Sequence, residues 1–122
     1  MLIKRTFPVN IAILLITACF CVSAFMFSCY QEHLDERLYI ESCSGNLNQI
    51  KNLLNHGADP NAISSEFRDT PLYAAMSGNF NAAAALLVHA GAKCHLKGEH
   101  GAAIGVALTP QLKAICRNAI DW

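Results

Sequence analysis

The side chains of this sequence that are best suited to chemistry are its histidines and cysteines. Cys94 stands beside His95 and six residues before His100. A structural zinc site needs about four such ligands at characteristic spacings, and this loose trio fits no zinc pattern. His56 and His89 occupy matching places near the ends of two predicted helices, where positive charge suits the helix dipole. The histidines therefore do not favour a metal site, and we expect no cofactor.

The six cysteines fall into two groups of three. The first group belongs to the apolar N-terminal segment and consists of Cys19, Cys21 and Cys29. The second group is Cys43, Cys94 and Cys116, and its odd number argues against a disulfide framework. The helical pattern places Cys43 on an inner face and Cys116 in an apolar stripe, which favours core packing for both. If this part of the chain is exported, Cys94 and Cys116 are the pair to test for a disulfide.

Enzymatic function is not indicated by any motif. No Ser-His-Asp order, paired carboxylate cleft, Gly-rich phosphate loop or nucleotide motif stands out, and Glu66 and Asp69 read as solvated loop charges. The formal net charge is +0, and the basic block is limited to Lys4 and Arg5. Nucleic acid binding would require a cationic patch. We therefore expect a protein that is not an enzyme, with no nucleic acid partner and no small-molecule substrate.

An uncharged apolar segment extends from Phe7 to Cys29. As a helix it would measure about 34 Å, enough to cross a hydrocarbon core of about 30 Å. Lys4 and Arg5 precede it and an acidic stretch follows, so the positive-inside rule predicts a cytosolic N-terminus and an exported C-terminal part. We interpret residues 1–30 as a signal anchor or transmembrane segment.

Two alternatives remain open for this segment. A cleaved secretory signal could use Val22-Ser23-Ala24 as its cleavage site, and Ile16-Thr17-Ala18-Cys19 resembles the lipobox of a bacterial lipoprotein. The length of the apolar run favours the uncleaved anchor. All three interpretations export the rest of the chain, to the periplasm or the cell exterior.

Residues 31–122 contain an internal repeat. The segment Gly45–Ala58 is similar to Gly78–Ala92: the Gly-Asn starts are offset by 33 residues, and the Gly-Ala ends by 34. Each copy carries the apolar stripe of one amphipathic helix. The two stripes are Leu47, Ile50, Leu53 and Leu54, and Phe80, Ala83, Leu86 and Leu87. Gly57 and Gly91 follow the stripes, where a helix end favours a left-handed residue.

Two motifs flank the helical stripes. Thr70-Pro71-Leu72-Tyr73-x-Ala75 and Gly57-Ala58-Asp59-Pro60-Asn61-Ala62 are similar to the Thr-Pro-Leu-His-x-Ala and Gly-Ala-Asp-x-Asn-Ala motifs of the ankyrin repeat. The resemblance implies an all-α solenoid of two and a half to three helix pairs after the N-terminal helix. Its repeats would be 34–62, 63–95 and 96–120.

The resemblance weakens towards the C-terminus. Lys93 and His95 replace the loop Asp and Asn, and Arg68 stands where the family has a fingertip Gly, which puts the usual hairpin tip in doubt. The third repeat is recognised by pattern alone. It would contain a first helix over 102–108, a break at Thr109-Pro110, and a stripe of Leu112, Ile115, Cys116 and Ala119.

Ankyrin stacks use their extended loops and first helices to hold proteins, so the resemblance implies a protein partner. The candidate contact residues are Glu66, Phe67, Arg68, Asp69, Met76 and Ser77. Aromatic and Arg residues are enriched at binding hot spots, although Phe67 could equally pack beneath its own loop. The leading hypothesis is a membrane-tethered, exported adaptor or inhibitor. The alternatives are a Cys/His metal or redox protein of the cell envelope, and a truncated repeat fragment without a partner.

Overall fold

The computed structural model describes residues 3–107 and 109–120. The chain forms two compact units, with the boundary between Glu32 and His33. One helix, α1 (Ile3–Ser44), contributes to both of them.

The first unit consists of the N-terminal part of α1, which is long and apolar enough to cross a membrane, a property that signal sequences share. Two of its hydroxyl groups are bonded within the helix. Thr17 Oγ1 donates to the carbonyls of Ile13 and Leu14, and Ser23 Oγ donates to the carbonyl of Phe20. Polar groups satisfied by their own helix suit an environment without water.

The described residues of the second unit are mostly helical, as predicted, and they include one short hairpin. After the C-terminal part of α1 come the elements α2 (Leu47–Asn55), α3 (Pro71–Ser77), α4 (Asn81–His89), β1 (Lys97–Gly98), β2 (Gly101–Ala102), a 3-10 helix (Ala103–Val106) and α5 (Pro110–Ile120). Strands β1 and β2 are antiparallel. Helix α4 packs against α2, α3 and α5, so it lies at the centre of the apolar core.

Local signals explain where α3 begins. Thr70 is the N-cap, its hydroxyl accepts a hydrogen bond from the Tyr73 amide at 3.1 Å, and Pro71 occupies the first turn. This combination supplies an acceptor for an otherwise unpaired amide and preorganises the backbone. The predicted start of the helix is confirmed.

The two helix pairs repeat with one spacing of 34 residues. The Asn46 and Phe80 amides donate to the carbonyls five residues earlier, and Ala58 and Ala92 do the same. The predicted equivalence of the two Gly-Asn turns is therefore wrong by one residue. Asn79, with φ of +62°, takes the place of Gly45, with φ of +68°. Asn tolerates this left-handed conformation better than most residues. The two offsets of 33 and 34 imply one extra residue in the second copy, which alignment of the Gly-Asn starts would place at Ala90. The structure places it in the turn before α4 instead.

The buried helix faces follow the 34-residue spacing. Ile50 and Leu53 of α2 are buried, and the buried residues of α4 are Ala83, Ala84, Leu87 and Val88. Phe80, Leu86 and Leu54 are only partly buried, and Leu47 is exposed. The predicted stripes thus locate the right helices but include some positions at the edge of the core.

The side chain of Asn61 joins the loops that follow α2 and α4. Its Nδ2 donates to the Gly91 carbonyl at 2.9 Å, and its Oδ1 accepts from the Lys93 amide at 2.8 Å. Both bonds go to main-chain groups, so they stabilise the stacking of one loop on the next. The residue 34 positions later is His95, which is exposed.

The C-terminal segment departs from the two regular pairs. The first helix predicted over 102–108 is a 3-10 helix at Ala103–Val106, and Leu108 lies outside the described residues. Helix α5 begins at the predicted break, where Thr109 Oγ1 accepts from the Leu112 amide. Leu112 and Cys116 are fully buried. Ala119 lies outside the described side chains.

Candidate functional site

The segment Ile63–Asp69 contains four of the predicted partner-contact residues and is called the partner loop for that reason. Hydrogen bonds within the segment fold its backbone tightly. The Arg68 amide donates to the Ser64 carbonyl at 2.9 Å, and the Ser64 amide donates to the Asp69 carbonyl at 3.0 Å. Ser64 Oγ also accepts from the Phe67 amide. Arg68 has φ of +59°, so it adopts the left-handed conformation although it is not a glycine. For a non-Gly residue this conformation costs about 1–2 kcal/mol, which neighbouring contacts must offset.

One side of the partner loop is bonded to α1. Glu36 Oε1 accepts from Ser64 Oγ at 2.6 Å, and Glu36 Oε2 accepts from the Ser65 amide at 3.1 Å. Nearby, Asp35 Oδ1 accepts from the Asp59 amide at 2.7 Å. Hydrogen bonds to carboxylates are stronger than neutral ones, so α1 fixes the first half of the loop.

The other side is bonded to the β1–β2 hairpin. Asp69 Oδ2 is 2.6 Å from His100 Nδ1, and Asp69 Oδ1 accepts from the His100 amide at 3.1 Å. The Glu99 amide donates to the Arg68 carbonyl at 2.8 Å. Gly98 permits this approach, because a Cβ there would lie 2.5 Å from Asp69 Oδ1 and 2.6 Å from the Arg68 carbonyl oxygen. The loop is therefore held between two separate elements.

Phe67 combines the two roles that the sequence left open. Its ring stacks on Tyr39 of α1, with centroids 5.1 Å apart and planes at 16°. The residue nevertheless remains 45% exposed, as does Ile63 at 50%. Phe67 thus has one supported face and one accessible face. Such an aromatic ring needs little ordering when it binds.

Four of the six predicted contact residues are accessible. Glu66, Phe67, Arg68 and Ser77 lie at the surface. The Arg68 side chain is 72% exposed, and its Nη1 lies 3.8 Å from Glu99 Oε2. Such an exposed ion pair contributes little to stability. The Arg68 guanidinium therefore remains accessible to other groups.

The other two predicted contact residues, Asp69 and Met76, are buried at 2% and 0% exposure. The prediction that their side chains form a contact surface is wrong. Met76 is buried because α3 packs between α4 and the 3-10 helix. Asp69 is buried because His100 supplies partners for both of its oxygens, so it is not a solvated loop charge.

Cys43 lies at the surface, so the predicted inner-face position is wrong. It faces Tyr39, one of the residues beneath the partner loop. Burial raises the pKa of Tyr39 well above its usual value, with a smaller contribution from Cys43. Although the residue is exposed, partial desolvation of its thiol raises the pKa of Cys43, while a hydrogen bond with Tyr39 lowers it in part. Both groups therefore stay protonated at neutral pH.

Cys94 and Cys116 form a disulfide, with their Cα atoms 5.8 Å apart, within the usual range. Cys94 is therefore not a free thiolate that could bind a metal beside His95 and His100. Among the residues that the structure describes, no group of three or more His, Cys, Asp or Glu side chains is placed to hold a metal ion.

Three residues at the partner loop were missed by the sequence analysis: Glu36, Tyr39 and His100. Each is about thirty residues away from the group that it contacts, so no local motif marks it. No known protein-family model matches the chain, and no curated protein matches it in sequence. The ankyrin resemblance therefore stays a prediction based on motifs.

Proposed function

We propose that this chain is an exported, membrane-tethered protein of the ankyrin-repeat type, and that it binds a protein partner through the exposed side of its partner loop. An adaptor or an inhibitor would work in this way. The observation that carries the proposal is Phe67, an accessible aromatic ring on a loop that is hydrogen-bonded on both sides.

The extended loop that follows each regular helix pair supports the ankyrin-type part of this proposal, because tetratricopeptide units, whose period is also about 34 residues, lack such a loop. Thr70 caps α3, Asn61 joins successive loops, and Gly57 and Gly91 have positive φ. The Thr70 cap and the left-handed Gly57 and Gly91 agree with what the sequence predicts at these two motifs, and the bonds of Asn61 add a contact between successive loops. The fold leaves the choice of partner to the exposed side chains.

Two observations support export. The apolar part of α1 can cross a membrane or act as a signal. The disulfide between Cys94 and Cys116 is typical of proteins in oxidising compartments and rare in the cytosol. In addition, the positive charges of Lys4 and Arg5 before the apolar segment favour a cytosolic N-terminus and an exported C-terminal part.

A reporter fused after Trp122 tests the orientation. We expect activity from a reporter that needs an exported environment, and none from a reporter that needs the cytosol. The opposite pattern would contradict the proposed export. Mass spectrometry of the N-terminal peptide distinguishes the retained anchor from cleavage after Ala24 and from lipidation of Cys19.

Photocrosslinking tests the binding surface. A benzoylphenylalanine introduced at Phe67 should crosslink one discrete protein in intact membranes, whereas the same group at Leu47, exposed on α2, should not. With that protein purified, Phe67→Ala with Arg68→Ala should weaken binding by about 2 kcal/mol or more, roughly thirtyfold. An unchanged affinity in this folded double variant would refute the proposed surface.

A further inference from the structure

We propose that His100 is a second contact of the binding surface, and that its outer ring nitrogen, Nε2, binds a carboxylate of the partner beside an apolar group held by Phe67. The partner segment should therefore carry an acidic side chain close to an apolar one. This inference rests on the protein-binding function proposed above, because it extends the surface around the partner loop.

The rings of Phe67 and His100 are supported in the same way by two successive helices. Tyr39 of α1 and Tyr73 of α3 are separated by the 34-residue spacing of the helix pairs. Phe67 stacks on Tyr39, and the His100 ring is tilted over Tyr73, with centroids 6.3 Å apart and planes at 31°. Ring pairs at such distances are favourable. His100 is thus placed against α3 as Phe67 is placed against α1.

Main-chain contacts bring the two supported rings close to each other. The Glu99 amide donates to the Arg68 carbonyl at 2.8 Å, so the residue after Phe67 is bonded to the residue before His100. The side chains of Arg68 and Glu99 also pair, with Nη1 and Oε2 3.8 Å apart. The two rings therefore belong to adjacent stretches of chain, and one partner segment can contact both.

A buried carboxylate fixes the orientation of the His100 ring. The Asp69 side chain is 3% exposed, and its Oδ2 lies 2.6 Å from His100 Nδ1. Its Oδ1 accepts from the His100 amide at 3.1 Å. An ionised carboxylate only accepts hydrogen bonds, so Nδ1 carries a proton. The His100 side chain is 63% exposed, which leaves Nε2 as the ring nitrogen available to a partner.

The charge of the segment that contains the hairpin favours an anionic partner group. Residues 93–122 contain four Lys or Arg and two Asp or Glu, whereas residues 31–92 contain three Lys or Arg and seven Asp or Glu. The cationic side chains of Arg68 and Lys97 are exposed, and the Glu99 carboxylate is already paired with Arg68. A basic segment attracts acidic partners. The group that best matches Nε2 is therefore a carboxylate.

A carboxylate at Nε2 links binding to the protonation of His100. An opposite charge favours the charged form of a titratable group, so binding should take up a proton. The imidazolium then donates from Nε2 to the partner and from Nδ1 to Asp69, in two charge-assisted hydrogen bonds. The other charged or titratable groups next to His100 are Asp69 and Arg68 of the loop, Tyr73 of α3 and Glu99 of the hairpin. None of these residue types ordinarily changes its charge between pH 6 and 8, whereas His does.

A random peptide library provides a defined probe of this chemistry. Peptides displayed on phage are selected at pH 6 against the full chain in detergent micelles, and the dissociation constants of the enriched peptides are then measured in solution. We expect the enriched peptides to share an Asp or Glu close to an apolar residue. Enrichment of basic or uncharged peptides, or no enrichment at all, would overturn the inference.

The pH dependence of the wild-type chain tests for the uptake of a proton. An enriched peptide should bind about fivefold or more tightly at pH 6 than at pH 8, because protonation of His100 is linked to binding. The same peptide with its acidic residue replaced by the corresponding amide should lack this difference. Affinities that are equal at the two pH values, or that change equally for both peptides, would overturn the inference.

Two matched variants assign the effect to one histidine. His100→Asn keeps an amide donor near the position of Nδ1, which can bond to Asp69, but it lacks Nε2. It should weaken the acidic peptide about tenfold at pH 6, leave the amide peptide nearly unchanged and abolish the pH dependence. His95→Asn, at an exposed histidine of the same segment, should change none of these. A folded His100→Asn chain that binds like the wild type would overturn the inference. If this variant does not fold, the pH comparison in the wild type decides.

The two proposals fail in different ways. Peptides that depend on Phe67 and Arg68, but neither on His100 nor on their own acidic residue, would reject the carboxylate contact and retain the binding surface. A tenfold loss in His100→Asn, without any crosslink from position 67 in intact membranes, would retain the carboxylate contact and reject the proposed protein partner.

Discussion

The 34-residue spacing makes a sharp prediction about two adjacent leucines of α4. Leu87 is fully buried and is equivalent to Leu53 of α2, whereas Leu86 is only partly buried. An offset of 33 residues, as the sequence suggested at the helix starts, would instead make Leu86 the equivalent of Leu53. Substituting each leucine by alanine therefore distinguishes the two alignments by stability.

The expected magnitudes follow from burial. Replacing a fully buried Leu by Ala costs about 2–5 kcal/mol, because the apolar contact is lost and a cavity remains. Leu87→Ala should fall in this range, and Leu53→Ala, with Leu53 4% exposed, should be similar. Leu86→Ala should cost about 1 kcal/mol, since the half-buried side chain already faces water in part. A domain of this size has a total stability of about 5–13 kcal/mol, so the difference is readily measured.

Urea unfolding of the oxidised full chain in detergent micelles, followed by circular dichroism, provides the assay. The apolar part of α1 should stay helical in the micelle and add a constant signal, while the second unit unfolds. Leu87→Ala should lower the unfolding midpoint much more than Leu86→Ala does, with similar slopes for both. If Leu86→Ala is as destabilising as Leu87→Ala, the assignment of the buried face and the 34-residue spacing are both refuted.

Three further predictions concern the polar contacts and the thiols. Asn61→Ala should cost about 1–2 kcal/mol in the same assay, because it removes two bonds to main-chain groups, of which the one to the Gly91 carbonyl is part-buried. A change below about 0.5 kcal/mol would show that this contact does not hold the loops together. Removing the disulfide by Cys94→Ser with Cys116→Ser should cost about 3 kcal/mol, from the entropy of a freed 22-residue loop. Cys43 should be alkylated by iodoacetamide at pH 8 more slowly than an ordinary cysteine thiol, because its pKa is raised. Tyr39→Phe should slow the reaction further, because it removes the hydrogen bond that lowers this pKa. Peptide mass spectrometry measures both rates, and a faster reaction in Tyr39→Phe would contradict this reasoning.

Much of the local structure could be predicted from the sequence because its causes are local. The Thr70-Pro71 start of α3 depends on a cap and a ring within the first helical turn. The positive φ of Gly57 and Gly91 follows from their places after the apolar stripes. The third helix pair has no such motif, and only its general pattern could be recognised. The prediction therefore missed the hairpin and gave a full helix where the structure has a short 3-10 helix.

The candidate site could be predicted only in part because its supports are remote in sequence. The aromatic and the Arg of the partner loop were identified by residue type, and they are accessible. Glu36 could not be distinguished from its acidic neighbours after the apolar segment, since its role depends on Ser64 and Ser65. Likewise, the burial of Asp69 depends on His100, which the sequence suggested only as a weak metal ligand.

The two Gly-Asn pairs show why identical local sequences misled the alignment. Gly45 has φ of +68° and makes the turn itself, whereas the turn in the second copy is made by Asn79. Gly78 has ordinary helical geometry, and the reason for Gly there is space: a Cβ at either Gly45 or Gly78 would clash with the ring of Phe80. One aromatic side chain thus requires a small residue in both turns, and the two glycines match in sequence although only one of them needs a left-handed backbone. The repeat is therefore defined by its main-chain hydrogen bonds, which follow the 34-residue spacing at both ends of α2 and α4.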